Sequence, residues 1–113
     1  MDRTDRWLNR LHALLEHQIK NSVPTNREIA EELAISERQL FRKVREATGL
    51  SPQKYITKYR IQQSMSLLKS GKYRTVKEVA TAIGYKNVSH FIRLFTEEFG
   101  RTPLKVLKTA GWR

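Results

Sequence analysis

Apolar residues recur along this chain at helical spacing. Trp7, Leu8, Leu11, Leu14, Leu15 and Ile19 make one stripe, which predicts a first helix from about Thr4 to Lys20. No segment alternates polar and apolar residues with period two for long enough to suggest a sheet. Asn21 to Pro24 reads as a linker after that helix.

The later boundaries are marked by capping residues. Thr25 with Glu28 forms a capping-box pattern, opening a helix near Asn26 that ends around Leu33. Ser36 with Gln39 opens the next, which runs to about Ala47 and stops at Gly49. Ser51-Pro52 supplies an N-cap and a proline at the first helical position, where a missing N–H costs nothing. That fourth helix continues to about Lys69 and ends at Ser70-Gly71. Thr75 with Glu78 starts a fifth helix, Asn87 caps a sixth, and Thr102-Pro103 starts a short seventh.

These signals repeat. Thr25, Glu28, Ala30, Leu33, Ala34 and Ile35 return fifty positions on as Thr75, Glu78, Ala80, Ile83, Gly84 and Tyr85. After a one-residue insertion at Lys86 the offset becomes fifty-one. Ser36, Leu40, Arg42, Val44, Gly49, Ser51 and Pro52 are then answered by Asn87, Phe91, Arg93, Phe95, Gly100, Thr102 and Pro103. The pattern is a duplicated helix, tight turn and helix, with an arginine at one place on each second helix.

A steep turn of this kind lets the second helix enter a DNA major groove with its N-terminal residues toward the base edges. In the first copy Leu40, Val44 and Ala47 are spaced to face inward, leaving Arg38, Phe41, Arg42 and Arg45 outside. In the second, Phe91 and Phe95 face inward and Ser89, Ile92, Arg93 and Thr96 outward. Arginine suits the site because its planar fork donates two hydrogen bonds to guanine O6 and N7, or to phosphate. Phe41 and Ile92 occupy matching positions from which they would pack on thymine methyls. The alternative, with the helical phase shifted by one residue, makes both of them core. The candidate DNA contacts are Ser36, Arg38, Gln39, Phe41, Arg42 and Arg45, with Asn87, Ser89, His90, Ile92 and Arg93.

Charge sharpens this picture. Over 113 residues, 22 Lys and Arg against 11 Asp and Glu give a net charge of +11, which points to a polyanionic partner. Residues 1–50 carry nine basic and eight acidic side chains, residues 51–113 thirteen and three, so the second copy should supply more of the nonspecific attraction. The length suits one domain or two small abutting lobes rather than a two-domain enzyme. The absence of cysteine excludes disulfides, thiolate metal sites and a thiol nucleophile, and is compatible with a reducing cytoplasm. No apolar run reaches the length of a signal-peptide core or a membrane span, so the expectation is a cytoplasmic protein with no membrane partner.

Together these motifs resemble the AraC/XylS family of bacterial transcription regulators. The resemblance rests on Ala80, Gly84-Tyr85, Asn87, Ser89-His90-Phe91, Arg93, Phe95, Gly100 and Thr102-Pro103. Upstream it includes Ser36, Arg38, Leu40, Arg42, Gly49, Ser51-Pro52, Tyr55 and Arg60, and it covers residues 25–106. It implies an all-α fold of two helix-turn-helix lobes of the three-helix, homeodomain-like kind. These would span residues 1–50 and 71–113, joined by a connecting helix over 51–70. It also implies sequence-specific binding of double-stranded DNA in two successive major grooves and activation of transcription, with RNA polymerase as a further partner. Val106 departs from the family's usual aromatic residue, which bears on packing of the last helix. Asn87 replaces its common aspartate, and both cap well. Family members commonly carry a separate effector or dimerisation domain. Nothing in this chain resembles one, so the chain reads as a stand-alone regulator or a C-terminal piece.

Other readings are weaker. His12 and His17, five residues apart on one helix, do not share a face, so they read as surface or boundary residues rather than metal ligands. His90 fits a DNA contact or packing beside the turn equally well. The acidic side chains lie at helix starts or on exposed faces, so neither catalysis nor a cofactor is expected. The competing class is a basic helical module that docks on a membrane surface or a protein through Lys54, Lys58, Lys69, Lys72, Arg74 and Lys77. Neither copy, however, presents a broad apolar face beside its cations.

Overall fold

A computed structural model describes residues 3–18 and 24–110. They form seven helices: α1 Arg3–Gln18, α2 Asn26–Glu32, α3 Glu37–Thr48, α4 Pro52–Lys69, α5 Val76–Ala82, α6 Val88–Phe99 and α7 Pro103–Ala110. No strand occurs among the described residues. The two-residue extension of α1 to Lys20, with Ile19 on its stripe, and the linker residues Asn21 to Val23 lie outside the described residues. So does the side chain of His17.

The caps act as the spacing predicts. Thr25 and Glu28 satisfy each other's backbone N–H reciprocally, and Ser36 and Gln39 do the same. Thr75 and Asn87 each accept from the backbone N–H three residues on. Ser51 accepts from Lys54 N–H and Thr102 from Lys105 N–H, both at 3.3 Å. α3 and α6 close on Gly49 and Gly100, both left-handed.

The chain divides into two compact units, residues 1–57 and 58–113, and the division falls within α4. In the first unit Trp7, Leu11 and Leu15 of α1 are buried, as are Ile29, Ala30 and Leu33 near α2, Leu40 and Val44 of α3, and Ile56 of α4. His12 is a boundary residue here. Its Nε2 shares a hydrogen bond with the Tyr55 hydroxyl, and the two rings stack with centroids 5.9 Å apart. Burial raises the Tyr55 phenol above its ordinary pKa.

In the second unit Ile61 and Leu68 of α4 are buried with Val79, Ala80, Ile83, Tyr85, Phe91, Phe95, Val106 and Leu107. Tyr85, Phe91, Phe95 and Phe99 form a run of adjoining rings with successive centroids 5.8, 5.9 and 4.7 Å apart. Val106 is 3 % exposed, so a valine closes the last helix onto the core without an aromatic ring.

Candidate nucleic-acid interface

The turn between the helices of each pair is built the same way twice. After α2, Ala34 N–H donates to Glu31 C=O and Ile35 N–H to Ala30 C=O. After α5, Gly84 N–H donates to Thr81 C=O and Tyr85 N–H to Ala80 C=O. These are the paired bonds of a Schellman motif, which needs one left-handed residue. That residue is Ala34, with φ of 57°, in the first turn and Gly84, with φ of 88°, in the second.

The turn fixes which face of α3 points away from the core. Leu40 and Val44 are each 1 % exposed, Ala47 is half-buried, and Arg38, Phe41, Arg42 and Arg45 are exposed. Phe41 retains 46 % of its surface, so the reading that makes it core is incorrect: Leu40, beside it, takes the inward position. Arg38, Gln39, Phe41, Arg42 and Arg45 line an open depression of about 750 Å³, completed by Asn26, Glu37 and Glu46. Arg42 Nε lies 4.0 Å from Glu46 Oε1. Ser36 and Gln39 are exposed but engaged in the cap, Gln39 Oε1 accepting from Ser36 N–H at 3.0 Å and Ser36 Oγ accepting from Gln39 N–H at 3.1 Å. The Gln39 amide nitrogen is not used by that cap.

On α6, Phe91 and Phe95 are fully buried, and Ser89, His90 and Arg93 are exposed. Ile92 and Thr96 are half-buried, and the Thr96 hydroxyl donates back to Ile92 C=O at 2.7 Å. Ile92 is thus less open than its counterpart Phe41. Asn87 Oδ1 accepts from His90 N–H at 3.0 Å. The exposed His90 ring meets Tyr85 edge-on, with centroids 5.8 Å apart, so it packs beside the turn while keeping an open surface.

Besides the His12–Tyr55 pair, two polar features escaped the sequence reading. Gln53 Nε2 donates to Asn26 Oδ1 at 2.7 Å, tying the start of α4 to the start of α2. Arg60 is buried and bonded to the α5–α6 turn. Among the described residues no group of three His, Asp or Glu side chains is placed to hold a metal ion, and no helix is long and apolar enough to cross a membrane.

Comparison with known proteins agrees with this architecture. A helix-turn-helix domain family matches residues 29–109. The HTH-type transcriptional activator RhaS of Escherichia fergusonii is 34% identical over 105 residues, covering 93% of this chain and 37% of that protein. The chain therefore spans little more than a third of that relative. An AraC-type transcriptional regulator from Chromobacterium violaceum superposes with a TM-score of 0.84 at 23% identity, covering 95% of this chain and 94% of that one, a likeness of fold. The DNA-binding domain of AdpA, solved in complex with a target DNA, gives a TM-score of 0.77 at 25% identity, covering 90% of each chain. With the duplicated helix-turn-helix frame, the matched family and the RhaS relative in agreement, this chain belongs to the AraC/XylS family and corresponds to its DNA-binding domain.

Proposed function

We propose that the chain binds double-stranded DNA sequence-specifically, α3 and α6 reading successive major grooves, and thereby activates transcription. The observation that carries this reading is the duplicated outward face. Arg42 and Arg93 sit 51 residues apart at the same turn of matching helices, and both are exposed. Each follows a buried anchor, Leu40 or Phe91, by two residues, so each projects from the side away from its core. A guanidinium there forks onto guanine O6 and N7 or clasps phosphate, and Phe41 offers an apolar surface to a thymine methyl. Ser36, Gln39, Asn87 and Ser89 lie at the N-terminal ends of the same helices, where hydroxyl and amide groups meet base edges or phosphates. Arg38 and Arg45 supply phosphate contacts, and His90 and Ile92 extend the second contact face.

Activation is supported by the RhaS relative, an activator. RNA polymerase is the partner that such a role would engage. That relative's greater length accommodates a separate effector or dimerisation domain. The cytoplasm is the compartment such a role requires. The test is selection of bound sites from a randomised duplex pool, followed by footprinting of the selected site. A monomer is expected to protect two segments roughly 10 to 10.5 base pairs apart without a palindrome. Protection of a single groove, or an obligate symmetric dimer site, would overturn the reading.

A further inference from the structure

Arg60 is the only charged side chain among the described residues that is buried, with 5 % of its surface exposed. It belongs to the second unit and reaches the α5–α6 turn from α4. Its Nε donates to Ile83 C=O at 2.9 Å, and its guanidinium carbon lies 3.9 Å from the centre of the Tyr85 ring. Its Nη2 is buried without a partner, and no carboxylate lies within 4.0 Å of it, both among the described residues. Burial draws its pKa down, with Tyr85 acting in the opposite sense.

A buried cation with an unsatisfied donor and no carboxylate is a poor device for stability alone, because an aliphatic side chain would avoid the desolvation cost. What it supplies is direction. The flat, forked group fixes two points of the turn at once, the carbonyl of Ile83 and the face of Tyr85, on either side of left-handed Gly84. Tyr85 in turn meets both Phe91 and His90 of α6, each with ring centroids 5.8 Å from its own. The first turn has Ile35 where Tyr85 stands, and the residue fifty positions before Arg60, Arg10, is exposed. The device therefore belongs to the second unit.

We infer that Arg60 is a positioning residue for the second recognition helix, acting through Ile83 and Tyr85 to set the angle at which α6 leaves the turn. This rests on the DNA-reading function proposed above. Base preference in the segment read by α6 depends on Arg60, and preference in the segment read by α3 does not.

The experiment compares wild type, Arg60→Lys and Tyr85→Leu in site selection from a randomised duplex pool, with amide hydrogen exchange of α6 measured on the same samples. Lysine keeps the charge but cannot bond Ile83 and lie flat on the ring together, while leucine removes the ring and leaves the bond to Ile83. The expected result is a loss of about tenfold in base discrimination at the α6 segment, with α6 amides still protected and the α3 segment unchanged. Unchanged preference at both segments in both variants would overturn the inference alone. So would a loss that appears only when α6 protection is lost, since Arg60 would then be a stabiliser. A wild-type chain that selects no sequence would instead overturn the DNA reading itself, and this inference with it.

Discussion

Arg42 Nε stands 4.0 Å from Glu46 Oε1, one helical turn further along α3, while no ion pair within 4.0 Å joins the matching Arg93 and Glu97 among the described residues. Both members of the first pair are largely exposed, so it contributes little to stability, about 0 to 1 kcal/mol. On the proposed function its consequence lies in binding, because Arg42 would exchange this carboxylate for DNA and Glu46 would bring a negative charge to the contact face. Glu46→Gln should therefore tighten binding to every duplex by about 1 kcal/mol or less at low salt, with the gain shrinking as salt rises. Titrations at two ionic strengths decide it, and a gain confined to one sequence would contradict the explanation.

Arg42 and Arg93 should also differ in what they read. Arg42 is flanked by exposed Arg38 and Arg45, which on the proposed function would hold phosphate and leave it for a base edge, whereas α6 has no second arginine, so Arg93 would serve the backbone. Arg42→Ala should cost about 1 to 3 kcal/mol and relax preference at one base pair, while Arg93→Ala should weaken all sequences evenly. Site selection with both variants measures this. A shifted motif for Arg93→Ala with uniform loss for Arg42→Ala would exchange the two roles.

Salt dependence tests the electrostatic part. With a net charge of +11 and both lobes on DNA as proposed, neutralisation of roughly six to ten phosphates should lower affinity by about three to five decades between ~50 and ~200 mM salt. A binding constant nearly flat over that range would exclude phosphate neutralisation as the main attraction.

Much of the frame was legible because its signals are local. Thr25 with Glu28, and Ser36 with Gln39, declare helix starts within four residues, and Leu40 with Val44 sets the phase of α3. Features decided by distant partners were not legible. The His12 contact is with Tyr55, 43 residues away, and Arg60 is buried by a turn 23 residues on, so nothing in their own helices marks them. Phe41 carried the opposite difficulty. An aromatic residue among arginines fits either face until the packing of its neighbours is known, and Leu40 fills the place it would otherwise take.

Ser51 separates stability from readout. Its hydroxyl accepts from Lys54 N–H at 3.3 Å at the start of α4. Ser51→Ala should cost about 0.5 to 2 kcal/mol of stability through loss of the cap and leave base preference unchanged. Denaturant titration together with site selection checks both halves, and altered preference at full stability would mean that Ser51 touches DNA.

The two Schellman turns give the final prediction, because the same backbone is built on different residues. Ala34 holds a φ of 57°, where its Cβ crowds the neighbouring carbonyl, while Gly84 holds 88° without that conflict. Replacing Ala34 by glycine removes the strain, although the unfolded chain gains freedom that offsets part of the benefit. Ala34→Gly should stabilise the first lobe by about 0.5 to 1 kcal/mol, and Gly84→Ala should destabilise the second by about 1 kcal/mol. Amide hydrogen exchange resolves the lobes, through α3 for the first variant and α6 for the second. Opposite-signed changes, each confined to its own lobe, are expected. Destabilisation of α3 by Ala34→Gly would mean that the alanine methyl contributes packing worth more than the backbone strain it causes.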